Sequence, residues 1–577
     1  MRRALTLAMA VLMVTAMFAP VVAAAPPGAA DDRTVAPSPA IDETSDGDVA
    51  SPQSTTEPVG ISGSGTSAST DNESADPAEE DGEFGDEPIG KVNGYWYNDS
   101  IDVDQADGLT DEELEAYVYR KMARVEEIRD QKFRSDVPVD VMTREEFREM
   151  REERESDETF NRWNDQVWKG LFVVGEDESS EEAIDTVFSG AVAGFYSPAE
   201  DRVVIVTDDG DNPVVDGSTL LHELGHAMQD QYHNLSDPTY RGDTQDADLA
   251  IDGIVEGEVV YMEHVYEERC ESGEWECVET PATDGTGDDG PEPNLGIFLT
   301  VFQPYSDGPG YAADIVEEDG WEGIADRMDE PPKSTTQVIH RTDREPTPID
   351  YEHTAESGWE HYPDQGVEGA DTVGEASIYA MFWYQARFYN ADTIDWREFS
   401  QADHPHETYN YVSEPSSGWA NDELYPYRRG DDQDGYVWVT EWETATDAQQ
   451  FRDAYGAMLE AHDVQQDDGY HVIDDGPFRG AYLVSTDDTR VTIVHGPTTG
   501  AVSDIRPDLT AEIRDDTPTD PGEPDEPGEI ETTTEPDAPD APDDDGAVDL
   551  ETPGFGIGTA VAVLLATIAL LRVGRRR

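Results

Sequence analysis

The chain has 577 residues, and its 131 acidic residues against 36 basic ones give a formal net charge of −95 at pH 7. A protein surface with so much negative charge repels nucleic acid, so we do not expect DNA or RNA as a partner. The length is sufficient for a sizeable hydrophobic core, but some segments are too polar to contribute to one.

The N-terminus predicts an exported protein. Residues 1–25 have the features of a signal peptide, because Arg2 and Arg3 precede an apolar run that ends in small residues suited to cleavage. A retained membrane anchor is the alternative. Residues 26–90 are rich in Ser, Thr, Asp, Gly and Pro, and we expect them to be disordered.

Residues 91–428 are predicted to form the principal domain, which begins with helices marked by their caps. Thr110 and Glu113 have the spacing of a capping box and predict a helix that reaches about residue 132. Thr143 and Glu146 repeat this spacing before a second helix. The other elements predicted in this part are a strand over 137–142, helical segments over 160–175 and 181–194, a strand over 203–206 and a helix capped by Ser218 or Thr219.

The most informative segment is residues 220–230, which contains the pattern His-Glu-x-x-His in an apolar, helical setting. Histidines four residues apart lie on one face of a helix, so His222 and His226 can bind one metal ion. Glu223 lies beside that ion without being a ligand, where it can accept a proton from metal-bound water. The alternative is a helix with two incidental histidines.

A catalytic zinc site usually has three protein ligands, so one more is expected. The next predicted helix, residues 248–268, offers three acids as candidates. Helical periodicity does not choose among Glu256, Glu258 and Glu263; Glu258, for example, has apolar neighbours at helical spacing and can also point inward. The residues by themselves leave the third ligand open.

The pattern E-G-x-x-x-Y-x-E that begins at Glu256 resembles the zinc-binding helix of the gluzincin metallopeptidases. This resemblance implies that Glu256 is the third zinc ligand, beside His222 and His226. The pattern departs at Val260, where some gluzincins carry an acid that orients a histidine ligand. The groups that orient the ligands are therefore not predicted.

Residues 222–231 and residues 331–340 also resemble segments of a group of predicted secreted metallopeptidases. In gluzincins a later His or Tyr often stabilises the oxyanion, and His340 is the candidate here because it ends an otherwise polar segment. A structural histidine is the alternative. Tyr232 and His233 are further candidates, which can instead simply cap the end of the metal-binding helix.

Residues 429–507 are predicted to form a small βαββ subdomain. Its elements are a strand over 436–442, an amphipathic helix over 447–460 and a hairpin of strands 481–485 and 490–494. The expected fold class is therefore α+β, with a helix-rich, zincin-like catalytic domain, a small edge sheet and this subdomain. We expect the strand over 203–206 to bind an extended peptide at the sheet edge.

Cys270 and Cys277 are the two cysteines of the chain. Because an exported protein meets an oxidising compartment, the pair predicts a disulfide that closes a small loop, rather than a metal site.

The C-terminus predicts an anchor at the cell surface. Residues 508–552 are rich in Pro, Thr, Asp and Glu and are expected to form a disordered stalk. Residues 553–577 contain Pro-Gly-Phe, an apolar run and an arginine-rich tail, which together resemble the archaeal sorting signal processed by an archaeosortase. That resemblance implies replacement of the helix by a lipid. A plain transmembrane helix is the alternative, and both place the catalytic region outside the cell.

The acidic composition resembles the proteomes of extreme halophiles, in which a dense carboxylate surface stays hydrated in molar salt. An acidic secreted protein of a mesophile is the alternative. If the resemblance holds, low salt destabilises the folded region, because weaker screening lets the carboxylates repel one another over longer distances.

The combined prediction is an extracellular, surface-anchored, Zn²⁺-dependent metalloendopeptidase that acts on protein or peptide substrates. Glu223 would deprotonate the zinc-bound water that attacks the peptide carbonyl. The alternative is a catalytically inactive, zinc-stabilised module for binding or adhesion at the cell surface. The presence of Glu223 argues against it, since a structural zinc needs no base and normally has four protein ligands.

Overall fold

The computed structural model describes residues 86–152, 157–188, 192–281 and 292–510. The predicted signal peptide, the sorting motif with its apolar run, and nearly all of the predicted disordered segment and stalk lie outside these ranges. Within them, no helix has the length and apolar character needed to cross a membrane.

The α+β class predicted from the sequence is confirmed. The helices are α1 (Asp111–Arg129), α2 (Arg144–Glu152), α3 (Glu158–Gly170), α4 (Ser180–Phe188), α5 (Gly217–His233), α6 (Gln245–Glu271), α7 (Leu295–Asp329), α8 (Thr335–Ile339), α9 (Gly374–Tyr389), α10 (Ala445–Glu460) and α11 (Thr499–Ile505). The strands are β1 (Lys91–Val92), β2 (Tyr95–Trp96), β3 (Val139–Thr143), β4 (Gly194–Ser197), β5 (Arg202–Thr207), β6 (Glu360–His361), β7 (Trp419–Arg429), β8 (Gln433–Trp442), β9 (Gln465–Asp467), β10 (Tyr470–Ile473), β11 (Gly480–Asp487) and β12 (Arg490–Gly496).

Both predicted capping boxes are present. The Thr110 N–H donates to the Glu113 carboxylate at 3.0 Å, and the Glu113 N–H donates back to the Thr110 hydroxyl at 3.3 Å. Thr143 and Glu146 form the same pair of bonds before α2, at 2.9 and 3.2 Å. Each box satisfies backbone N–H groups that the first turn of a helix leaves without an intrahelical partner.

Among the described residues, β3, β5 and β4 form a three-stranded sheet in that order. β5 pairs in parallel with β3 and antiparallel with β4. The prediction that residues 203–206 offer a free edge to a peptide is therefore wrong, because both edges of β5 already carry backbone hydrogen bonds. Its continuous apolar run is typical of a central strand that is buried on both faces.

The C-terminal part of the described chain contains a seven-stranded antiparallel sheet, in the order β6-β7-β8-β12-β11-β10-β9. The predicted strand, helix and hairpin of the βαββ unit correspond to β8, α10 and β11–β12. The strands β6, β7, β9 and β10 were not predicted. β7 pairs with β8 across the boundary expected between residues 428 and 429.

Two large hydrophobic clusters lie beneath these elements. One joins α3, α7, α9 and α10 to a face of the seven-stranded sheet and includes the buried side chains of Trp383, Trp419 and Trp438. The other joins α1, α5, α6 and β5. The predicted disulfide between Cys270 and Cys277 is present at the C-terminal end of α6.

Candidate metal centre

Helix α5 carries both histidines of the His-Glu-x-x-His pattern. Its N-cap is Asp216, whose carboxylate accepts a hydrogen bond from the Thr219 N–H at 2.9 Å. The predicted caps, Ser218 and Thr219, lie inside the helix instead, because the aspartate just before the first turn takes the capping position and accepts from one of its free N–H groups. The helix ends at His233, and its C-cap Asn234 has a left-handed backbone with φ 56°.

The close packing of α6 on α5 brings the third ligand to the histidines. Gly225 makes this approach possible, since a Cβ there would be 2.6 Å from Val259 Cγ1 and 2.7 Å from Met262 Cε. A larger residue at this position would push the helices apart. The glycine inside the His-Glu-x-x-His pattern therefore determines how near α6 lies.

The side chains of His222, His226 and Glu256 are fully buried and meet at one place. The two Nε2 atoms are 3.0 Å apart, and Glu256 Oε2 lies 3.3 Å from the first and 3.2 Å from the second. Among the described residues, this is the one group of three such side chains that could hold a metal ion. The two histidines are thus brought together with Glu256, the third ligand that the resemblance implied.

Glu263 orients His222. Its Oε1 lies 2.7 Å from His222 Nδ1, which leaves the Nε2 atom directed toward Glu256. A carboxylate in this position fixes the tautomer and ring orientation of a histidine ligand. This chain has Val260 where some gluzincins carry an acid that orients a histidine, and Glu263, about one turn later on the same helix, makes such a contact instead.

Gln229 orients His226. Its Oε1 lies 2.9 Å from His226 Nδ1, and its amide nitrogen donates to Val255 O and to Glu258 Oε2, each at 2.8 Å. Glu258 also forms a buried ion pair with Arg129. Glu258 thus holds Gln229 in place and is not a member of the ligand group. Neither Gln229 nor Arg129 was identified from the sequence as part of the site.

Glu223 is fully buried beside the three ligands. Neither of its carboxylate oxygens has a hydrogen-bond partner within the described part of the chain. Burial raises the pKa of Glu223 to about 7, although the nearby His222 and His226 act to lower it. A carboxyl group with a pKa near neutrality can both accept and donate a proton at physiological pH.

Helix α7 contributes a tyrosine, Tyr305, to the surroundings of the candidate metal ligands. Tyr305 lies near the ligand group, and burial together with the charges of Glu256, Asp252 and Glu223 raises the pKa of Tyr305 well above its ordinary value. The phenol therefore stays protonated and can donate a hydrogen bond beside the ligand group. No sequence signal identified Tyr305, because α7 itself was not predicted: two prolines and several glycines interrupt its pattern.

His340 lies at the end of α8, against α9. Its Nε2 is 2.8 Å from Glu375 Oε1, and the other oxygen of Glu375 accepts a hydrogen bond from the Thr336 hydroxyl at 2.7 Å. Burial acts to lower the pKa of His340, but Glu375 raises it above its ordinary value. The imidazole is thus engaged by an acid of α9, and a role for His340 at the oxyanion stays a prediction.

The other two candidates lie at the C-terminal end of α5. The Tyr232 hydroxyl donates to Lys132 O at 2.8 Å, and His233 Nδ1 lies 3.4 Å from a carboxylate oxygen of Asp329. These contacts tie the end of α5 to neighbouring segments. They agree with the structural role that the sequence left open for both residues.

Residues 360–506 match the protein family described as a domain of unknown function, DUF8575. This range contains the seven-stranded sheet and the helices α9 to α11, but none of the residues of the metal centre. No curated protein and no solved structure matches the chain. The metal centre must therefore be interpreted from its own geometry and from the sequence pattern.

Proposed function

We propose that the protein is an extracellular, surface-anchored zinc metallopeptidase of the gluzincin type. The observation that carries the proposal is the buried group of His222, His226 and Glu256, with the unpartnered carboxyl of Glu223 beside it. The substrate class is the peptide bond of proteins or peptides, as the resemblance to gluzincins implies. The H-E-x-x-H pattern and the orienting contact from Glu263 support this assignment.

The three ligand atoms fit zinc. Zinc bonds of roughly 2.0–2.1 Å in a tetrahedral arrangement separate any two ligand atoms by about 3.3 Å. The separations here are 3.0, 3.2 and 3.3 Å. Three protein ligands, two imidazoles and one carboxylate, are typical of catalytic zinc, whereas structural zinc usually has four. When bound, zinc supplies a Lewis acid that polarises a carbonyl and lowers the pKa of water.

The residues around the ligands have distinct roles in this proposal. Glu223 takes a proton from the attacking water and delivers it to the leaving amine, for which its pKa of about 7 is suited. Tyr305 donates a hydrogen bond to the developing oxyanion. It is better supported in that role than His340, because Tyr305 lies near Glu256 whereas the His340 imidazole is hydrogen-bonded to Glu375.

The variant Glu223→Gln tests the proposal. It should keep its bound zinc and its fold, but lose peptide hydrolysis by roughly 10²–10⁴-fold, because the proton acceptor is removed while the ligands remain. Casein and peptide-library cleavage should be measured in high salt, together with metal content and circular dichroism. If the wild type shows no zinc-dependent cleavage across broad substrates, the inactive binding module becomes the better account.

We propose that the protein is exported and held at the membrane through its C-terminus, with an archaeosortase-like enzyme as processing partner. The mature protein should then end near Pro553-Gly554-Phe555 and carry a lipid there. Membrane association does not separate a lipid from a helix, so mass spectrometry of the C-terminal peptide is the decisive measurement. Recovery of an intact peptide covering residues 556–577 from membrane-associated protein would support a plain transmembrane helix instead.

A further inference from the structure

Three of the 36 basic residues of this acidic chain are buried side by side on α1. Arg120, Lys121 and Arg124 are 1%, 0% and 0% exposed. Within the described residues, none of the three forms an ion pair with a carboxylate. Among the described residues of this acidic chain, the most deeply buried cations thus have no carboxylate partner. We call these three residues the buried cation cluster.

The hydrogen bonds that the cluster makes go mainly to neutral groups. Arg120 donates to Asp99 O at 3.2 Å, and Arg124 donates to two other backbone carbonyls at 2.9 and 2.7 Å. Lys121 Nζ lies 3.4 Å from the centre of the Tyr266 ring, in a cation–π contact. These contacts orient the side chains but do not neutralise their charge.

Several buried donors of this region have no hydrogen-bond partner in the described protein: Lys121 Nζ, Arg120 Nε and Nη2, and the Tyr117 hydroxyl. Two of these donors lie against Gly217, the first residue of α5. A Cβ on Gly217 would be 2.7 Å from the Tyr117 hydroxyl and 3.1 Å from both Lys121 Nζ and the Tyr266 hydroxyl. Unsatisfied donors and positive charge therefore converge at the N-terminus of the helix that carries the two histidines.

The nearest carboxylates are engaged elsewhere. Asp216 accepts from the Thr219 N–H at 2.9 Å and from the Thr280 hydroxyl at 3.3 Å. Glu267 accepts from the Ser218 hydroxyl at 2.9 Å. Burial, together with the neighbouring Arg124 and Arg120, lowers the pKa of Lys121 well below its ordinary value, and the opposing effect of Asp216 and Glu267 is smaller. Neither acid forms an ion pair with Lys121, so a bound anion would be the group that favours its charged form.

Buried charges in proteins are normally paired, because an isolated ion loses its hydration on burial. The N-terminus of α5 adds a partial positive charge and is itself a common place for anions to bind. We propose that a small inorganic anion with the size and charge of chloride binds between α1 and the N-terminus of α5. Its donors are Lys121, Arg120 and Tyr117. All three side chains are at most 1% exposed, and this burial favours a monatomic anion over a larger organic acid.

Such an anion would tie α1 to the helix that holds His222 and His226, and so stabilise the metal-bearing part of the fold. This inference does not depend on the proposed peptidase activity, because its consequence is a change in stability. For a ligand that binds the folded state alone, each tenfold rise in concentration above the Kd multiplies the folding constant by about ten.

The test compares potassium chloride with potassium gluconate at constant, high ionic strength, and measures the thermal unfolding of the full-length protein. The wild type should unfold at a temperature that rises with the chloride fraction. Lys121→Met should lose this dependence. The control Lys333→Met removes a lysine that is 62% exposed and should keep it.

A wild type that unfolds at the same temperature in both salts would overturn the proposal. So would a Lys121→Met variant that is at least as stable as the wild type in both salts, since Lys121 would then be a neutral buried amine. If Lys121→Met does not fold, Tyr117→Phe removes one donor and should weaken the chloride dependence. Crystals grown in bromide give an independent result, and the absence of an anomalous bromide peak near Lys121 Nζ would also contradict the inference.

Discussion

Two buried carboxylates of the metal centre have pKa values shifted in opposite directions. Burial raises the pKa of Glu223 to about 7. Burial acts in the same direction on Glu256, but His226 and His222 outweigh it and lower that pKa to about 2. The difference follows from position, because Glu256 Oε2 lies 3.2 and 3.3 Å from the two Nε2 atoms. One carboxylate is held ionised as a ligand, and the other can exchange a proton.

The contact between Glu263 and His222 leads to a prediction at this scale. Glu263→Gln should lower zinc affinity by roughly 10–100-fold, because the carboxylate that orients the ligand and increases its basicity is lost. Glu256→Gln should have a larger effect, since it alters a ligand directly. Competition with a chromogenic zinc chelator measures all the affinities.

Glu268→Gln is the matched control, because this exposed acid lies on the same helix, one turn and a half beyond Glu263. It should bind zinc like the wild type. Unchanged affinity in Glu263→Gln would show that the orienting contact contributes little. Full affinity in Glu256→Gln, with loss in Glu258→Gln, would show that the ligand assignment is wrong.

A single helix, α6, organises most of the centre. It supplies the ligand Glu256, the orienting acid Glu263, and Glu258, which holds Gln229 in place, from one stretch of eight residues. It also packs against two helices at glycines: α5 at Gly225, and α7 at Gly257. The spacing of the three acids is a property of the helix, but their distances to α5 and α7 depend on these two close contacts.

The contact between α6 and α7 predicts the effect of one added methyl group. In Gly257→Ala the new Cβ would lie 2.4 Å from Gly308 O, and a backbone atom cannot move away as a side chain can. We expect the free energy of unfolding to fall by about 3 kcal/mol, the upper end of typical overpacking costs. Zinc affinity should fall as well, because the ligand Glu256 is the adjacent residue.

Gly456→Ala is the control for this experiment, since a Cβ at that position of α10 meets no atom within 4 Å. It should stabilise the protein by roughly 0.5–1 kcal/mol, because alanine has a higher helix propensity than glycine. Denaturant unfolding at constant high salt measures both variants. A Gly257→Ala variant as stable as Gly456→Ala would mean that α6 and α7 can separate at little cost.

At the scale of the whole molecule, several acidic side chains lie in the interior of the fold, among them Asp246 and Asp371. Burial raises the pKa of Asp246 and of Asp371 to about 7, against roughly 3.9 for an aspartate in an unfolded chain. Between these values the folded state binds more protons than the unfolded state. The contribution of both groups to stability is therefore present at low pH and is lost as the pH rises through about 7.

We expect the free energy of unfolding to be lower at pH 8.5 than at pH 5.5, in high salt and with zinc in excess. Asp246→Asn should reduce this difference, because it removes one of the buried groups that ionise. Asp488→Asn, in the exposed turn between β11 and β12, should leave it unchanged. Thermal unfolding across a pH series measures the effect, and a free energy that increases toward pH 8.5 would contradict the prediction.

Local regularities were predictable from the sequence alone. The capping boxes at Thr110 and Thr143, the helix face that presents His222 and His226, and the short-range disulfide all depend on residues close together in the chain. Helix geometry fixes which side chains share a face, so spacing is sufficient evidence. The pairing of Cys270 with Cys277 needed only that the chain have no other cysteine.

Strand β7 shows why the larger sheet was only partly predicted. Asp422 interrupts its apolar alternation, yet this side chain is fully buried and accepts hydrogen bonds from the indoles of Trp419 and Trp438 and from the N–H groups of Val373 and Gly374. Three of these donors are 16 to 49 residues away in the sequence. From the sequence alone, the buried Asp422 therefore argued against a strand. Its distant hydrogen-bond partners, which explain its burial, are known only from the structure.

The sequence by itself determined the two histidines that share a helix face, the Glu223 carboxylate beside them and the choice of three acids for the remaining candidate ligand, because those relations lie within single helices. Only the tertiary structure decided that Glu256 meets the histidines while Glu258 pairs with Arg129, and that Tyr305 lies near Glu256. These outcomes depend on how closely separate helices pack. The distance between two helices is set by contacts between residues far apart in the chain. The spacing of residues within one helix gives no information about those contacts.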